Sequence, residues 1–447
     1  MLNRLLRSEP VQDRILLGLV LLGLVLRLGV GLATLPDRKF LGDEVMYIRS
    51  AAELVRTGEF DTDGFVRPPL YFVLVAGVHT LPLDFRTTLI VLQCLAAALT
   101  TFPLYRLGRR IAGRRTALFS SAFFLLNPTL IAYASLLWPE TFYLLLVSLV
   151  FDGVSTLTPE QGRRGLLLGA LTGLTMLLKP VFGLFTPLLA LWWWQRFGFR
   201  PALRASLMFG VAAALTIAPW VVRNQIRYGG GVLLDDQSAY NLWVGNDPRP
   251  PHEVHYEYGS TMDPALRTQI GYARAVELIS ADPGGFLARA ARRGVNMWGL
   301  EFFVLRHALF RGYGPITANQ LIAVFWMLQL GYAATLFCAA VGLAQRPRPG
   351  ILSLMLVHAA AFTVVVASMV GTTRFTMPFA PLLSIAAGIG ATHWGADWLS
   401  RRSLIAIGIA LLLVATSASR PIFREIATGD PGSSQALRSQ DLFYFRY

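Results

Sequence analysis

The sequence predicts an all-α, polytopic membrane protein. Of its 447 residues, 54% are apolar and only 15% are charged, whereas about a quarter of the residues of a soluble domain are charged. Apolar runs of roughly 18 to 25 residues recur along the chain, which is the length needed to cross a bilayer as a helix. Helices are favoured because lipid offers the backbone no hydrogen-bond partners.

About eleven spans are predicted, within one transmembrane domain (residues 1–419) that is followed by a tail (residues 420–447). The pair of spans on either side of Lys179 also fits a single broken helix. We place the spans at Val11 to Ala33, Arg86 to Leu107, Thr116 to Tyr133, Leu136 to Gly153, Gly165 to Leu178, Val181 to Trp194, Pro201 to Val222, Thr317 to Ala344, Ile351 to Val370, Met377 to His393 and Ser403 to Thr416.

Arginine pairs in the short connections predict the orientation. The net charge is +14, and much of it lies at Arg109-Arg110, Arg114-Arg115, Arg163-Arg164 and Arg401-Arg402. Because these pairs lie in the short connections between spans, they indicate cytoplasmic loops and not a nucleic-acid-binding surface. A cytoplasmic N-terminus then places the loops 36–85 and 223–316, the hairpin 371–376 and the tail on the outer face.

Both long outer loops are expected to contain helices. Residues 44–57 show apolar side chains at helical spacing and end at Gly58, which favours a surface helix. The apolar stretch from Pro69 to Leu81 is too short to span, so it predicts an interfacial or re-entrant helix. In the second loop, Pro264 to Ser280 and Pro283 to Leu300 have helical patterns.

Acidic and basic residues collect at the predicted outer ends of the spans. A lipid-linked phosphate at this boundary needs cations, and an attacking hydroxyl needs a placed carboxylate to accept its proton. Asp43 is the candidate base. The candidate phosphate ligands are Arg67, Lys179, Arg223 and Arg374, and two further acids, Glu44 and Glu140, lie at the same face.

Each of these residues also has a purely structural explanation. Asp43 fits a helix N-cap equally well, and Glu140 fits a first-turn acid after Pro139. Taken alone, the position of Lys179 favours a side chain that snorkels to the membrane interface. Taken alone, Arg223 is better explained as an ordinary charge that flanks a span. Arg27, inside the first span, would pair with an acid of the bundle.

The cysteines and paired histidines predict little chemistry. Cys94 and Cys338 both lie in apolar spans, so they are expected to be small buried residues without a disulfide or metal role. His252 and His255 stand among prolines without further ligands nearby in sequence, which argues against a metal site.

The residues of the first outer loop resemble those of a known family. The order Gly42-Asp43-Glu44, then an amphipathic helix, then Arg67-Pro68-Pro69-Leu70-Tyr71 resembles the first outer loop of GT-C fold glycosyltransferases. It is most similar to bacterial relatives of protein O-mannosyltransferases (glycosyltransferase family 39) and of the lipid A aminoarabinose transferase. Further similar segments are Asn127-Pro128, Trp138-Pro139-Glu140, Leu178-Lys179-Pro180, Pro219-Trp220, Asn241 to Asn246 and Thr373-Arg374-Phe375.

The resemblance implies inverting transfer of a sugar from a polyprenyl-phosphate donor at the extracytoplasmic face of a bacterial inner membrane. The acceptor would be a protein, a lipid or a glycan, and no nucleic acid is implied. Asp43 and Glu140 match the family's catalytic acidic positions, and Arg67 stands where relatives have lysine or histidine. Glu44, Tyr71 and Asn246 are the candidate sugar or acceptor ligands.

The resemblance also implies a divalent cation near the lipid phosphate, for which Asp43 and Glu44 are the candidate ligands. Two positions depart from the aminoarabinose transferases, which have an arginine where Met46 stands and a glutamate where Val66 stands. These departures argue against an aminoarabinose donor and against a metal site that uses that glutamate.

The sequence also fits two other hypotheses. A glycolipid flippase would use the same cations for phosphate but would need polar groups at mid-depth of the membrane, where the sequence offers little beyond Arg27 and Lys179. A scaffold without chemistry would tolerate replacement of Asp43 and Lys179.

Overall fold

The computed structural model describes residues 9–60, 65–345, 350–393 and 395–418. Over these ranges the chain forms twenty α-helices and no strand. The predicted tail, residues 420–447, lies outside the described residues. The helices are α1 (Glu9–Thr34), α2 (Asp43–Thr57), α3 (Pro69–His79), α4 (Phe85–Leu99), α5 (Thr101–Ala112), α6 (Arg114–Leu125), α7 (Pro128–Tyr133), α8 (Glu140–Val154), α9 (Gly162–Met176), α10 (Phe185–Phe197), α11 (Phe199–Tyr228), α12 (Gln237–Asn246), α13 (Pro251–Ser260), α14 (Pro264–Ala281), α15 (Pro283–Met297), α16 (Phe303–Leu309), α17 (Ala318–Ala344), α18 (Ile351–Met369), α19 (Ala380–Thr392) and α20 (Arg401–Ala418).

The protein is a multi-pass membrane protein. Of the described helices, seven are long and apolar enough to cross a bilayer by length and composition. They correspond to the predicted spans that begin near residues 11, 86, 201, 317, 351, 377 and 403. Helices α4 and α5 are joined into one of them, and a 3₁₀ helix, Thr373–Phe379, is joined to α19 in another. The remaining predicted spans form shorter helices, so the count of eleven stays a prediction.

Polar side chains and prolines explain why some predicted spans are broken. Asn127 caps α7 by accepting hydrogen bonds from the amides of Thr129 and Leu130, and α6 ends just before it. At Lys179-Pro180 the chain passes through a short 3₁₀ helix, Pro180–Leu184, between α9 and α10. Proline cannot donate the hydrogen bond that would continue a helix, so both breaks follow from the sequence.

The break after α6 also explains the buried arginine of the first span. Arg27 donates to the carbonyls of Leu125 at 2.7 Å and of Phe124 at 3.3 Å. These carbonyls end α6 and have no partner within their own helix. The expectation that Arg27 pairs with an acid is therefore wrong, because its guanidinium binds backbone carbonyls instead.

The helices predicted for the long loops are present. Helix α2 ends at Gly58, whose φ of 76° lies in the left-handed region that glycine adopts without strain. Helix α3 has 11 residues, so it is too short to span. In the second loop, α14 and α15 match the predicted segments within a few residues. We call the end of the bundle formed by these two loops the loop face.

Candidate active site

Asp43 is the first residue of α2, but it does not cap that helix. Gly42 occupies the N-cap with a φ of 54°, and no side chain caps the helix. The Asp43 carboxylate is therefore available for contacts with other elements, and its side chain is 28% exposed. This geometry removes the helix-cap explanation that the sequence left open for Asp43.

Arg374 joins two carboxylates that are far apart in the sequence. Its Nη1 donates to Asp43 Oδ2 at 2.8 Å, and its Nε donates to Glu140 Oε1 at 2.5 Å. The guanidinium carbon lies 3.6 Å from the centroid of the Trp138 ring. Because two charged hydrogen bonds and a ring contact act on one rigid planar group, Arg374 is held in a single orientation.

Lys179 completes the contacts of Glu140. Its Nζ lies 2.9 Å from Glu140 Oε1, and the Glu140 side chain is only 3% exposed. The other carboxylate oxygen, Oε2, is buried and makes no hydrogen bond. Lys179 thus pairs with Glu140 and does not snorkel to the membrane interface, although its position alone favours snorkelling.

Arg67 approaches Asp43 from another segment of the loop face. Its Nη1 lies 3.9 Å from Asp43 Oδ1. The amide of Leu70 donates to the carbonyl of Leu177 at 3.1 Å, which ties the segment that follows Arg67 to the segment that precedes Lys179. We call the resulting group the ion cluster, and its members are Asp43, Arg67, Glu140, Lys179 and Arg374.

The cations decide the protonation state of Asp43. Burial alone would raise the pKa of this carboxyl, but the charges of Arg374, Arg67 and Lys179 and the hydrogen bond from Arg374 hold its pKa well below the ordinary value. Asp43 is therefore ionised at neutral pH. In this arrangement Asp43 is also a weak base, because protonation of its carboxylate would remove its attraction to three cations.

A buried acid supports the hairpin that presents Arg374. Glu301 Oε1 accepts hydrogen bonds from Thr373 Oγ1 and from the amide of Val304, both at 3.0 Å. Burial raises the pKa of Glu301 above its ordinary value, and these hydrogen bonds oppose the shift. Because Thr373 immediately precedes Arg374, this contact fixes the start of the 3₁₀ helix Thr373–Phe379.

The second long loop supports the same hairpin from its other end. Asn246 Nδ2 donates to the carbonyl of Ser368 at 3.0 Å, and Arg293 Nη1 donates to it at 3.2 Å. Gly245 must be a glycine, because a Cβ there would lie 1.7 Å from the carbonyl oxygen of Met369. The loop therefore holds the end of α18, from which the hairpin departs.

Glu44 lies outside the ion cluster although it follows Asp43 directly. It is fully buried and paired with Arg38. Its Oε1 also accepts from the amide of Leu137 at 2.8 Å, and its Oε2 accepts from the amide of Leu41 at 3.1 Å. Both carboxylate oxygens thus bind protein groups, so this geometry gives no support to the predicted role of Glu44 as a sugar or metal ligand.

Three other candidates are also engaged elsewhere. Tyr71 is buried and donates to Gln93 Oε1 at 2.9 Å. Arg223 donates to Tyr228 Oη at 3.2 Å, and its guanidinium lies over the Trp220 ring. Asn246 binds the end of α18. The predicted ligand roles of these three residues stay predictions.

Sequence reasoning missed two side chains that shape the site. The Trp138 ring packs against Arg374. In the sequence, the only indication of this role was that Trp138 belongs to the segment Trp138-Pro139-Glu140, which resembles the family. Tyr47 stands one turn after Asp43 on α2, and this spacing of four residues places both on one side of a helix. Burial raises the pKa of the Tyr47 phenol, and the nearby Asp43 carboxylate raises it further.

The described residues do not fit a divalent-cation site. One guanidinium already contacts both Asp43 and Glu140. Across the described ranges, no group of three or more His, Cys, Asp or Glu side chains could hold a metal ion. Divalent cations require several oxygen or nitrogen ligands, and Arg374 donates to both of these carboxylates.

One segment of the chain matches the model of a known protein family. Residues 66–222 match the family model described as dolichyl-phosphate-mannose-protein mannosyltransferase. This segment includes Arg67, Glu140 and Lys179 of the ion cluster. No curated protein sequence matches the chain.

Solved structures identify the fold as GT-C. The oligosaccharyltransferase AglB of Archaeoglobus fulgidus, in complex with an inhibitory peptide and a dolichol-phosphate, aligns with a TM-score of 0.52 and 13% identity over 96% of this chain and 59% of that chain. The same enzyme in complex with Zn and sulfate aligns with a TM-score of 0.52 and 15% identity over 93% and 53%. The chain thus spans a little over half of these relatives.

A third structure is more distant. ArnT of Cupriavidus metallidurans, bound to undecaprenyl phosphate, aligns with a TM-score of 0.40 and 14% identity over 85% of this chain and 79% of that chain. The resemblance to GT-C glycosyltransferases that the sequence predicted is confirmed by the family match and by the fold.

Proposed function

We propose that the protein is a membrane glycosyltransferase that moves a sugar from a polyprenyl-phosphate donor to a hydroxyl of an envelope acceptor. One observation carries the proposal most directly: three cations, Arg67, Lys179 and Arg374, lie around two carboxylates at the loop face. Cations at this boundary suit a lipid phosphate. The match to a mannosyltransferase family supports the same reaction class.

Asp43 is the general base of the proposed reaction. The acceptor oxygen attacks the anomeric carbon from the side opposite the phosphate and forms the new bond. The bond between that carbon and the phosphate oxygen breaks, its electron pair stays on the phosphate, and the acceptor proton passes to Asp43. The transfer therefore inverts the anomeric configuration. Glu140 acts by positioning Lys179 and Arg374.

Donor binding would make Asp43 a stronger base. A bound phosphate competes with Asp43 for Arg67, Lys179 and Arg374 and adds a negative charge nearby. Both effects raise the pKa of the carboxyl, which makes it a better proton acceptor. Asp43 thus becomes a better base only when a donor is present.

A vesicle assay tests the proposed function. The protein is reconstituted with a labelled polyprenyl-phosphate sugar and mixed with envelope extract from a strain that lacks the protein. We expect label on an envelope acceptor together with release of free polyprenyl phosphate. Label that crosses the bilayer while the donor stays intact would identify a flippase instead and would overturn the proposal.

Transfer should not depend on divalent cations. We expect unchanged turnover after treatment with EDTA, because Arg374 and Lys179 supply the positive charge that a metal ion would supply at the carboxylates. Elemental analysis of the purified protein should also find no stoichiometric divalent metal. Loss of activity that added Mg²⁺ or Mn²⁺ restores would contradict this expectation.

A further inference from the structure

The second long loop binds the backbone directly beside Arg67. The segment 65–67 lies between α2 and α3, and its central residue, Val66, is fully buried. The amide of Asp236, at the start of α12, donates a hydrogen bond to the carbonyl of Val66 at 3.2 Å. One residue before Arg67, the first long loop is thus attached to the second.

A buried ion pair fixes the place of Asp236. Its carboxylate pairs with the guanidinium of Arg267 on α14, and the two side chains are 0% and 2% exposed. The hydroxyl of Tyr258, on α13, donates to the carbonyl of Asp236 at 2.7 Å. A buried charge that loses its partner is strongly destabilising, so the two side chains hold each other in place.

The same guanidinium also contacts the first long loop. The central carbon of the Arg267 guanidinium lies 4.6 Å from the centroid of the Phe65 ring. The ring of Tyr258 stacks on Phe65 with 6.0 Å between centroids and 15° between planes. Both the side chain of Phe65 and the carbonyl of Val66 are therefore held by groups of the second long loop.

Arg67 interacts with acids of both long loops. Its Nη1 lies 3.9 Å from Asp43 Oδ1. Burial raises the pKa of Asp235, and hydrogen bonds from Ser238 together with the charge of Arg67 oppose that shift. Because the attraction between charges falls with distance, a displacement of the segment 65–67 would change how strongly Arg67 acts at the ion cluster.

We propose that Asp236 and Arg267 are positioning residues for the donor phosphate, because they hold the segment 65–67 and thereby place Arg67 at the ion cluster. The proposal rests on the proposed function, since it assumes that Arg67 binds a lipid phosphate. Asp236 and Arg267 act through Arg67 and not by contact with the substrate.

A double-mutant cycle tests the proposal. Dissociation constants for undecaprenyl phosphate are measured with the full-length protein in nanodiscs. We expect Arg267→Gln to raise the constant about tenfold and Arg67→Ala to raise it at least as much. The variant that carries both changes should have the same constant as Arg67→Ala, because the effect of Arg267 requires the Arg67 side chain.

Two further variants separate positioning from a loss of stability, which would lower the unfolding midpoint without changing the affinity of the folded protein. Tyr258→Phe removes one hydroxyl and keeps the ring, so it should fold and raise the constant about twofold, but only when Arg67 is present. In Asp236→Asn with Arg267→Gln no buried charge is left unpaired, so the constant should lie nearer the wild-type value than in Arg267→Gln alone.

Arg274→Ala is the matched control on the same helix. Arg274 pairs with Glu277 on the surface of α14, where the two side chains are 53% and 64% exposed. Exposed pairs contribute little, so this variant should bind undecaprenyl phosphate as the wild type does.

The outcomes distinguish the positioning role from the proposed function. Wild-type constants in both Arg267→Gln and Tyr258→Phe would overturn the positioning role alone. So would an effect of Arg267→Gln that is equally large with and without Arg67. A wild-type constant in Arg67→Ala, or wild-type protein that fails to bind undecaprenyl phosphate, would overturn the phosphate site of the proposed function and the positioning role with it.

Discussion

Asp43→Asn should lower the rate of sugar transfer by at least about a hundredfold, which is the usual contribution of a general base. Asparagine has nearly the shape of aspartate, and its carbonyl oxygen can still accept a hydrogen bond from Arg374. The variant should therefore fold and insert normally, because the change removes only the charge and the ability to accept a proton. Turnover in donor-loaded vesicles measures the effect.

Asp84→Asn is the matched control for this substitution. Asp84 lies in the same predicted outer loop and caps α4 by accepting a hydrogen bond from the amide of Thr87 at 2.8 Å. Asparagine caps helices about as well as aspartate, so transfer should remain near the wild-type rate. Turnover close to wild type in Asp43→Asn would remove the general-base assignment, and with it the displacement mechanism proposed above.

Arg374→Ala should have the second large effect, and it should act on stability as well as activity. The substitution leaves Asp43 and Glu140 without their shared partner and exposes the Trp138 ring face. Removing one member of a buried ion pair typically costs about 3–5 kcal/mol. Here we expect about 3 kcal/mol, at the lower end of that range, because Lys179 still contacts Glu140. A lower thermal unfolding midpoint in detergent would report the loss.

Two further variants separate charge from packing at this position. In the double variant Arg374→Ala with Asp43→Asn, part of the lost stability should return, because the negative charge of Asp43, which has lost its hydrogen-bonded partner, is gone. Arg374→Lys keeps the charge but cannot donate in two fixed directions while stacking on a ring, so transfer should still fall. A midpoint for the double variant below that of Arg374→Ala would contradict this account of the ion cluster.

An exposed ion pair provides the control for these measurements. Arg56 pairs with Glu53 on the surface of α2, and its side chain is 70% exposed. Surface ion pairs contribute little to stability, so Arg56→Ala should leave the unfolding midpoint nearly unchanged. A large shift in this variant would indicate that α2 as a whole responds to charge removal.

Local patterns in the sequence were sufficient to predict much of the loop face. The helical spacing of 44–57 with Gly58 predicted α2, and the prolines at 69, 264 and 283 marked helix starts that the structure contains. Each of these signals lies within a few residues of the element that it defines. Backbone preference and apolar spacing act over the same short range, so one sequence is enough to detect them.

The choice between adjacent acids could not be made in the same way. Asp43 and Glu44 are neighbours, but successive side chains on a helix point in directions about 100° apart. One reaches Arg374, 331 residues away, and the other reaches the amide of Leu137. Which acid joins the ion cluster depends on packing between distant segments, and no local pattern encodes it.

The same reason explains Arg223. Its place at the end of a predicted span made it a candidate phosphate ligand, yet the rotation of α11 directs it toward Trp220 and Tyr228. The number of spans was also hard to predict, because the breaks at Asn127 and Lys179 divide apolar runs that hydropathy alone treats as continuous.

The composition of the ion cluster has an electrical consequence. Its three cations and two carboxylates leave one net positive charge among the described side chains, and a phosphodiester donor brings one negative charge. If transfer proceeds as proposed, Asp43 gains a proton while the product phosphate gains a second negative charge, so the loaded site is neutral before and after the reaction. A membrane potential does work on charge that moves across the membrane, at about 2.3 kcal/mol per charge per 100 mV. Because the negative charge passes only from Asp43 to a phosphate bound by the same cations, the rate of the chemical step should depend little on the membrane potential.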